Sequence, residues 1–158
     1  MRPLHLGDLA VSGPGLVQDG RCPEPLSAYD RNETPTVVVD GLPEGTVELA
    51  LICHDPDAPR PHGFTHWAVY GVPAREGVEI GPATLDGLRV GPNSRGDRAW
   101  MGPRPPAGHG LHRYYFWAYA LTCHVEGEPT REEFLDRYGE DVIEQARLVV
   151  TYERAPEA

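Results

Sequence analysis

Apolar positions along the chain gather into short runs, and the stretches between them are rich in glycine and proline. Residues 36–40 (TVVVD) are mostly β-branched and read as a strand, ended by the turn Gly41-Leu42-Pro43-Glu44-Gly45. In residues 46–54 (TVELALICH), Val47, Leu49 and Leu51 first alternate with Glu48. The run then becomes apolar at successive positions, as in a strand covered on both faces. The segment 55–63 (DPDAPRPHG) holds three prolines, which remove donors and fix φ, so it reads as a loop. A further strand is expected over 64–72, then a long loop region over 73–110 with short strands near 77–80 and 87–90. The strongest strand is 111–123 (LHRYYFWAYALTC), whose aromatics suit a position covered on both faces. Thr130 and Glu133 form a capping-box pattern that predicts a helix over 131–138, with Gly139 at its C-cap. A second helical piece over 140–146 and a closing strand over 147–153 complete the pattern. Residues 1–35, punctuated by Pro3, Pro14, Pro23, Pro25 and Pro35, read as an irregular arm with one short strand near 3–10.

Composition sharpens this picture. The chain has 18 glycines and 17 prolines in 158 residues, more than a fifth of the total, which argues against a helical bundle. Its 40% hydrophobic content argues against disorder. The length fits one domain over 1–158, with the arm packed on it. No run of 18 apolar residues occurs, so no transmembrane helix or membrane insertion is expected. His5, Gly7 and Asp8 break the apolar stretch at the N-terminus, unlike a signal peptide. Cys22, Cys53 and Cys123 show no CxxC spacing and read as reduced thiols of a cytoplasmic protein. The net charge is −10 and every one of the 14 cationic residues is Arg. Such a chain is a poor partner for nucleic acid or anionic lipid surfaces, so any bound anion must sit in a local pocket.

Side chains able to carry chemistry concentrate in two places. One is His54-Asp55-Pro56-Asp57-Ala58-Pro59 with Phe64-Thr65-His66-Trp67; the other runs from Gly102 through Pro106, His109 and Gly110 to His112-Arg113-Tyr114. Each joins a stiff loop to the end of a strong strand, where a rigid scaffold can hold functional groups. In a strand, His112, Tyr114 and Phe116 share one face, and Arg113, Tyr115 and Trp117 the other. Three readings stay open. The histidines and aspartates could serve only the loop backbone. They could ligate a metal through His62, His66, His109, His112 and the two aspartates, although no HExxH-like signature is present. Or they could form an anion pocket, with two imidazoles as donors oriented by carboxylates behind them, whose grip strengthens on acidification. Nucleophilic catalysis finds less support. No GxSxG elbow occurs, Ser27 and Ser94 have no evident base, and Cys53-His54 and Cys123-His124 would point to opposite faces.

These residues resemble those of the phosphatidylethanolamine-binding protein family, also called Raf kinase inhibitor-like proteins, most of all its short bacterial branch. The matching stretches are Asp55-Pro-Asp-Ala-Pro59, His66-Trp67, Gly91-Pro-Asn-Ser-Arg-Gly96 and Gly102 to Tyr114, ending in Gly110-Leu-His-Arg-Tyr114. Thr34-Pro35 and Leu42-Pro43 extend the agreement in order and spacing over residues 34–122. The resemblance implies a mainly β fold, a β-sandwich of antiparallel sheets with small C-terminal helices. It also implies a pocket for phosphate and phosphoryl headgroups built from Asp55, Asp57, His66, Pro106, Gly110, His112 and Tyr114. In that pocket Gly110 would allow close backbone approach and Pro59 would shape the aspartate loop. Pro106 is a candidate for a cis bond, and Arg113 an ion-pair donor beneath the site. Val39, Thr65 and Trp100 depart from the family's pattern, the last two at positions expected near the pocket rim.

Residues and resemblance together predict a binding protein, not an enzyme, with no catalytic residue, metal or cofactor. Its expected ligand is a small anion or phosphorylated group, such as a lipid headgroup. A kinase or protease is the implied protein partner, and a homodimer would cover aromatics on both faces of 111–123. The alternative is a hydrolase or other acid/base enzyme using the same His/Asp set.

Overall fold

A computed structural model describes residues 7–156. Its strands are β1 (Ala10–Ser12), β2 (Val37–Asp40), β3 (Glu48–Asp55), β4 (Phe64–Pro73), β5 (Val78–Ile80), β6 (Arg89–Val90), β7 (His112–Leu121) and β8 (Val142–Tyr152). One helix, α1 (Arg131–Tyr138), and three short 3-10 turns accompany them. Two antiparallel sheets result: β1-β2-β5, and β6-β4-β3-β7-β8. The mainly β architecture of packed antiparallel sheets is the one the sequence predicts.

The apolar alternation of each strand is resolved by the layers. Val37, Val39, Val78 and Ile80 of the small sheet share one core with Leu49, Leu51, Trp67, Val69 and Phe116 of the large sheet. On the other face of the large sheet, Ala50, Ile52, Tyr70 and Tyr119 pack with Phe134 of α1. β3 is therefore buried at every position, which explains its apolar end. Glu48, expected on a polar face, is buried too. Its carboxylate accepts from His124 Nδ1 at 3.0 Å and from the Val125 amide at 2.9 Å.

Three expectations change. Residues 140–146 are not helical: a 3-10 turn spans Gly139–Asp141, and β8 begins at Val142 and pairs with β7 from Leu121 back to His112. Pairing with the strongest strand outweighs the local helical preference of the EQA stretch. Gly139 is the C-cap of α1 as expected, its amide donating to the Leu135 carbonyl, with right-handed angles (φ −55°) because the 3-10 turn follows directly. In the N-terminal arm the strand lies at Ala10–Ser12, held by pairing with β2, and residues 3–6 of the expected strand lie outside the described residues. No cis peptide occurs among the described residues, so the bond before Pro106 is trans. Hydrogen bonds from the Ala28 amide to the Pro103 carbonyl and from the Tyr29 hydroxyl to the Pro105 carbonyl hold that segment in the lower-energy isomer.

Candidate functional site

The last residue of β3, the start of β4 and the start of β7 lie side by side at one end of the large sheet. Regular alternation along β4 would put His66 and Trp67 on opposite faces. A register shift prevents this: Cys53 pairs with Trp67 and His54 with Thr65, which leaves His66 as the extra residue of a bulge. The bulge turns His66 toward Tyr114, with ring centroids 5.1 Å apart and the rings edge to face. Thr65 turns the other way and bonds His54 Nδ1 at 3.0 Å.

A cavity of about 220 Å³ opens here. Asp55, Phe64, His66, His112 and Tyr114 line it from the strands, Pro59 and Arg60 from the first loop, and Met101, Arg104 and Pro106 from the second. Of the residues singled out in the sequence, Asp55, His66, Pro106, His112 and Tyr114 converge on this one space. Asp57 and Gly110 do not line it. Asp57 Oδ2 accepts from the Arg113 amide at 2.8 Å and lies 3.9 Å from the Arg113 guanidinium, so it staples the loop to β7 and orients no imidazole. Gly110 has φ +95°, a conformation that favours glycine, and open space where a side chain would start. Turn geometry selects it, not a close approach. Thr65 and Trp100 are not rim residues either. Both are buried, and Trp100 stacks near Phe116 while its indole N–H donates to the Leu26 carbonyl.

The sequence reading gave no site role to Arg60, Met101 or Arg104, whose signal was membership of the two proline-rich segments, and quoted Phe64 only in the stretch that holds His66. It quoted His109 in the second stretch and gave it a role only as a possible metal ligand. His109 Nδ1 instead stands 2.7 Å from His112 Nε2. Among the described residues no three His, Cys, Asp or Glu side chains gather as a metal site.

Protonation follows from the partners. Asp55 Oδ2 lies 2.7 Å from His112 Nδ1, and its Oδ1 accepts the Asp57 amide at 2.7 Å. A carboxylate only accepts, so His112 carries a proton on Nδ1. His66 Nδ1 faces the Met101 carbonyl, which assigns its proton there too. Burial pushes His66 down to about 4, against the smaller upward pull of that carbonyl. At neutral pH His66 is therefore uncharged, and its Nε2 is an acceptor. Burial raises Asp55, which its bonds to His112 and to the Asp57 amide oppose. Burial also raises Tyr114, keeping its hydroxyl protonated as a donor. The two buried thiols are held protonated: burial pushes Cys22 up to about 12 and Cys53 well above the ordinary thiol value.

A sequence model of "Phosphatidylethanolamine-binding protein" matches residues 17–153. A UPF0098 protein of Methanothermobacter thermautotrophicus is 35% identical over 142 residues, covering 85% of this chain and 92% of the relative. Among solved structures, a phosphatidylethanolamine-binding protein homologue of Chlamydia trachomatis superposes with a TM-score of 0.83 at 27% identity, over 94% of this chain and 99% of that one. Escherichia coli YbcL, described as a member of the mammalian family, gives 0.81 at 25% identity over 92% and 98%. The order of strands, the paired loops and these matches agree, and the chain belongs to the phosphatidylethanolamine-binding protein family.

Proposed function

We propose that this protein binds a small ligand through a singly protonated phosphoryl group seated against His66, His112 and Tyr114. The observation that carries the reading is the buried Asp55–His112 pair, 2.7 Å apart, in the wall of a cavity of about 220 Å³ with two arginines on its lining. A carboxylate behind an imidazole fixes the ring's orientation and favours positive charge on it when an anion sits opposite. Tyr114 offers a hydroxyl, and neutral His66 offers an acceptor. A phosphoryl group carrying one proton meets all three: its oxygens take the two donors, and its own O–H donates to His66. The cavity size suits a headgroup rather than a whole lipid.

Binding without turnover is the form of the proposal. The buried thiols are held protonated, and Ser94 Oγ accepts from the Thr65 amide beside a different cavity from the one that His66 and His112 line. Calorimetric titration with inorganic phosphate and phosphoethanolamine, comparing wild type with His112→Ala, tests the assignment. Saturable binding that the variant loses is expected; undiminished binding by the variant contradicts it.

A further inference from the structure

We infer that the ligand carries a second anionic group beside its phosphoryl group, gripped by Arg60 and Arg104. This rests on the anion reading above and narrows it to a ligand class. Both arginines line the cavity. Each lies over an aromatic ring, Arg60 Cζ 5.4 Å from the Phe64 centroid and Arg104 Cζ 5.5 Å from that of Tyr29. Stacking orients the planar face and leaves the N–H edge free for a planar anion. Although the chain has 24 acidic residues against 14 arginines, neither of these two pairs with a carboxylate among the described residues. The one carboxylate among the lining residues is Asp55, which is buried and bonded to His112 and the Asp57 amide.

A ligand tail therefore meets two cations and no free anion. An ethanolamine ammonium would be repelled by both guanidiniums, and the ring of Phe64, which is less buried than Tyr114 on the same lining, is already covered by Arg60. A tail carboxylate or second phosphoryl group would find two charge-assisted forks. The site favours phosphorylated hydroxy acids and bisphosphates over zwitterionic headgroups.

Titration of the full chain at low salt with three phosphate esters tests this: phosphoglycolate, ethyl phosphate and phosphoethanolamine. They share the phosphoryl group and differ in an anionic, neutral or cationic tail. Phosphoglycolate is expected to bind about tenfold tighter than phosphoethanolamine, with ethyl phosphate between, because exposed charge pairs contribute modestly each but differ in sign here. The Arg60→Ala/Arg104→Ala protein should bring the outer two within about twofold, and the Arg60→Glu/Arg104→Glu protein should reverse their order. Phosphoethanolamine binding wild type as tightly as phosphoglycolate, or a preference unchanged in both double variants, overturns the inference and leaves the anion reading standing. If none of the three esters nor inorganic phosphate binds wild type, the anion reading itself falls, and this inference with it.

Discussion

His109 Nδ1 and His112 Nε2 lie 2.7 Å apart, so both ring nitrogens of the buried His112 are engaged, one by His109 and the other by Asp55. His109 is exposed, and it sits in a turn between Gly108 and Gly110, both at positive φ. Through the Asp55 bond His112 holds its proton on Nδ1, and the other nitrogen accepts from His109. An anion that takes a hydrogen bond from His112 Nε2 must displace His109 and bring a proton. The charged and titratable groups around the pair are Asp55, Tyr114, which stacks on His112, Asp57 with Arg113, and, on the same cavity wall, His66, Arg60 and Arg104. Arg154 is tied to the same turn through its carbonyl, which accepts from the Gly108 amide.

His109→Ala should therefore tighten phosphate binding by about fivefold, since one neutral hydrogen bond no longer has to be broken. Titration of wild type and variant at the same pH measures it. Weakening comparable to that of His112→Ala would instead make His109 a direct contact of the ligand.

Stability should fall on mild acidification. Burial holds His66 at about 4 in the folded protein, and His54 likewise, while an exposed histidine titrates near 6.5. Because the folded value lies below the unfolded one, protons bind preferentially to the unfolded chain. The stability associated with neutral His66 is present above about pH 6.5 and is lost as pH falls toward 4, by about 3 kcal/mol. Urea unfolding at pH 7 and pH 5 reads this loss, and His66→Gln should flatten the slope.

The two aspartates of the first loop should separate. Asp55→Asn places an amide NH2 against either His112 Nδ1 or the Asp57 amide, costing about 1–3 kcal/mol of stability, and removes the support for a charged His112. Phosphate affinity should fall by about tenfold or more. Asp57→Asn touches only the Arg113 staple, so its effect should stay within about threefold. Parallel titrations and unfolding curves decide whether the aspartates act alike.

Phosphate, which keeps a proton throughout, should bind better than sulfate from pH 5.5 to 8, and a phosphate ester should bind better below about pH 6 than above it, where it loses its second proton. Sulfate cannot donate to the His66 acceptor. Equal affinities for the two ions from pH 5.5 to 8 would contradict the neutral assignment of His66.

Much of the fold was legible because one signal decided each piece. Alternation and β-branching located β2, β3, β4 and β7, and the Thr130/Glu133 reciprocal bonds, 3.2 and 3.0 Å, start α1 where the capping box predicted. The 140–146 stretch was misread because its partner, β7, lies some twenty residues back in the chain, and local propensity does not see such pairing. The same limit governs the site. Asp55, His66 and His112 could be picked out by residue type and strand ends, and Tyr114 by the family resemblance. The bulge that aims His66, however, is visible only in the Cys53–Trp67 and His54–Thr65 register. Asp57 looked equivalent to Asp55 in sequence, and only the Arg113 amide beside it shows the difference. Arg60 and Arg104 were hidden because an arginine in a loop is ordinarily a solvated charge.

The most direct measurement is an NMR titration of the full chain with inorganic phosphate at pH 6, following the imidazole nitrogens of His66 and His112 and the ring of Tyr114. The account predicts saturable shifts at all three residues, together with loss of the His109–His112 hydrogen bond. It also predicts that His112→Ala abolishes saturation. Absence of saturable shifts at these residues, or saturation unchanged in His112→Ala, would contradict it.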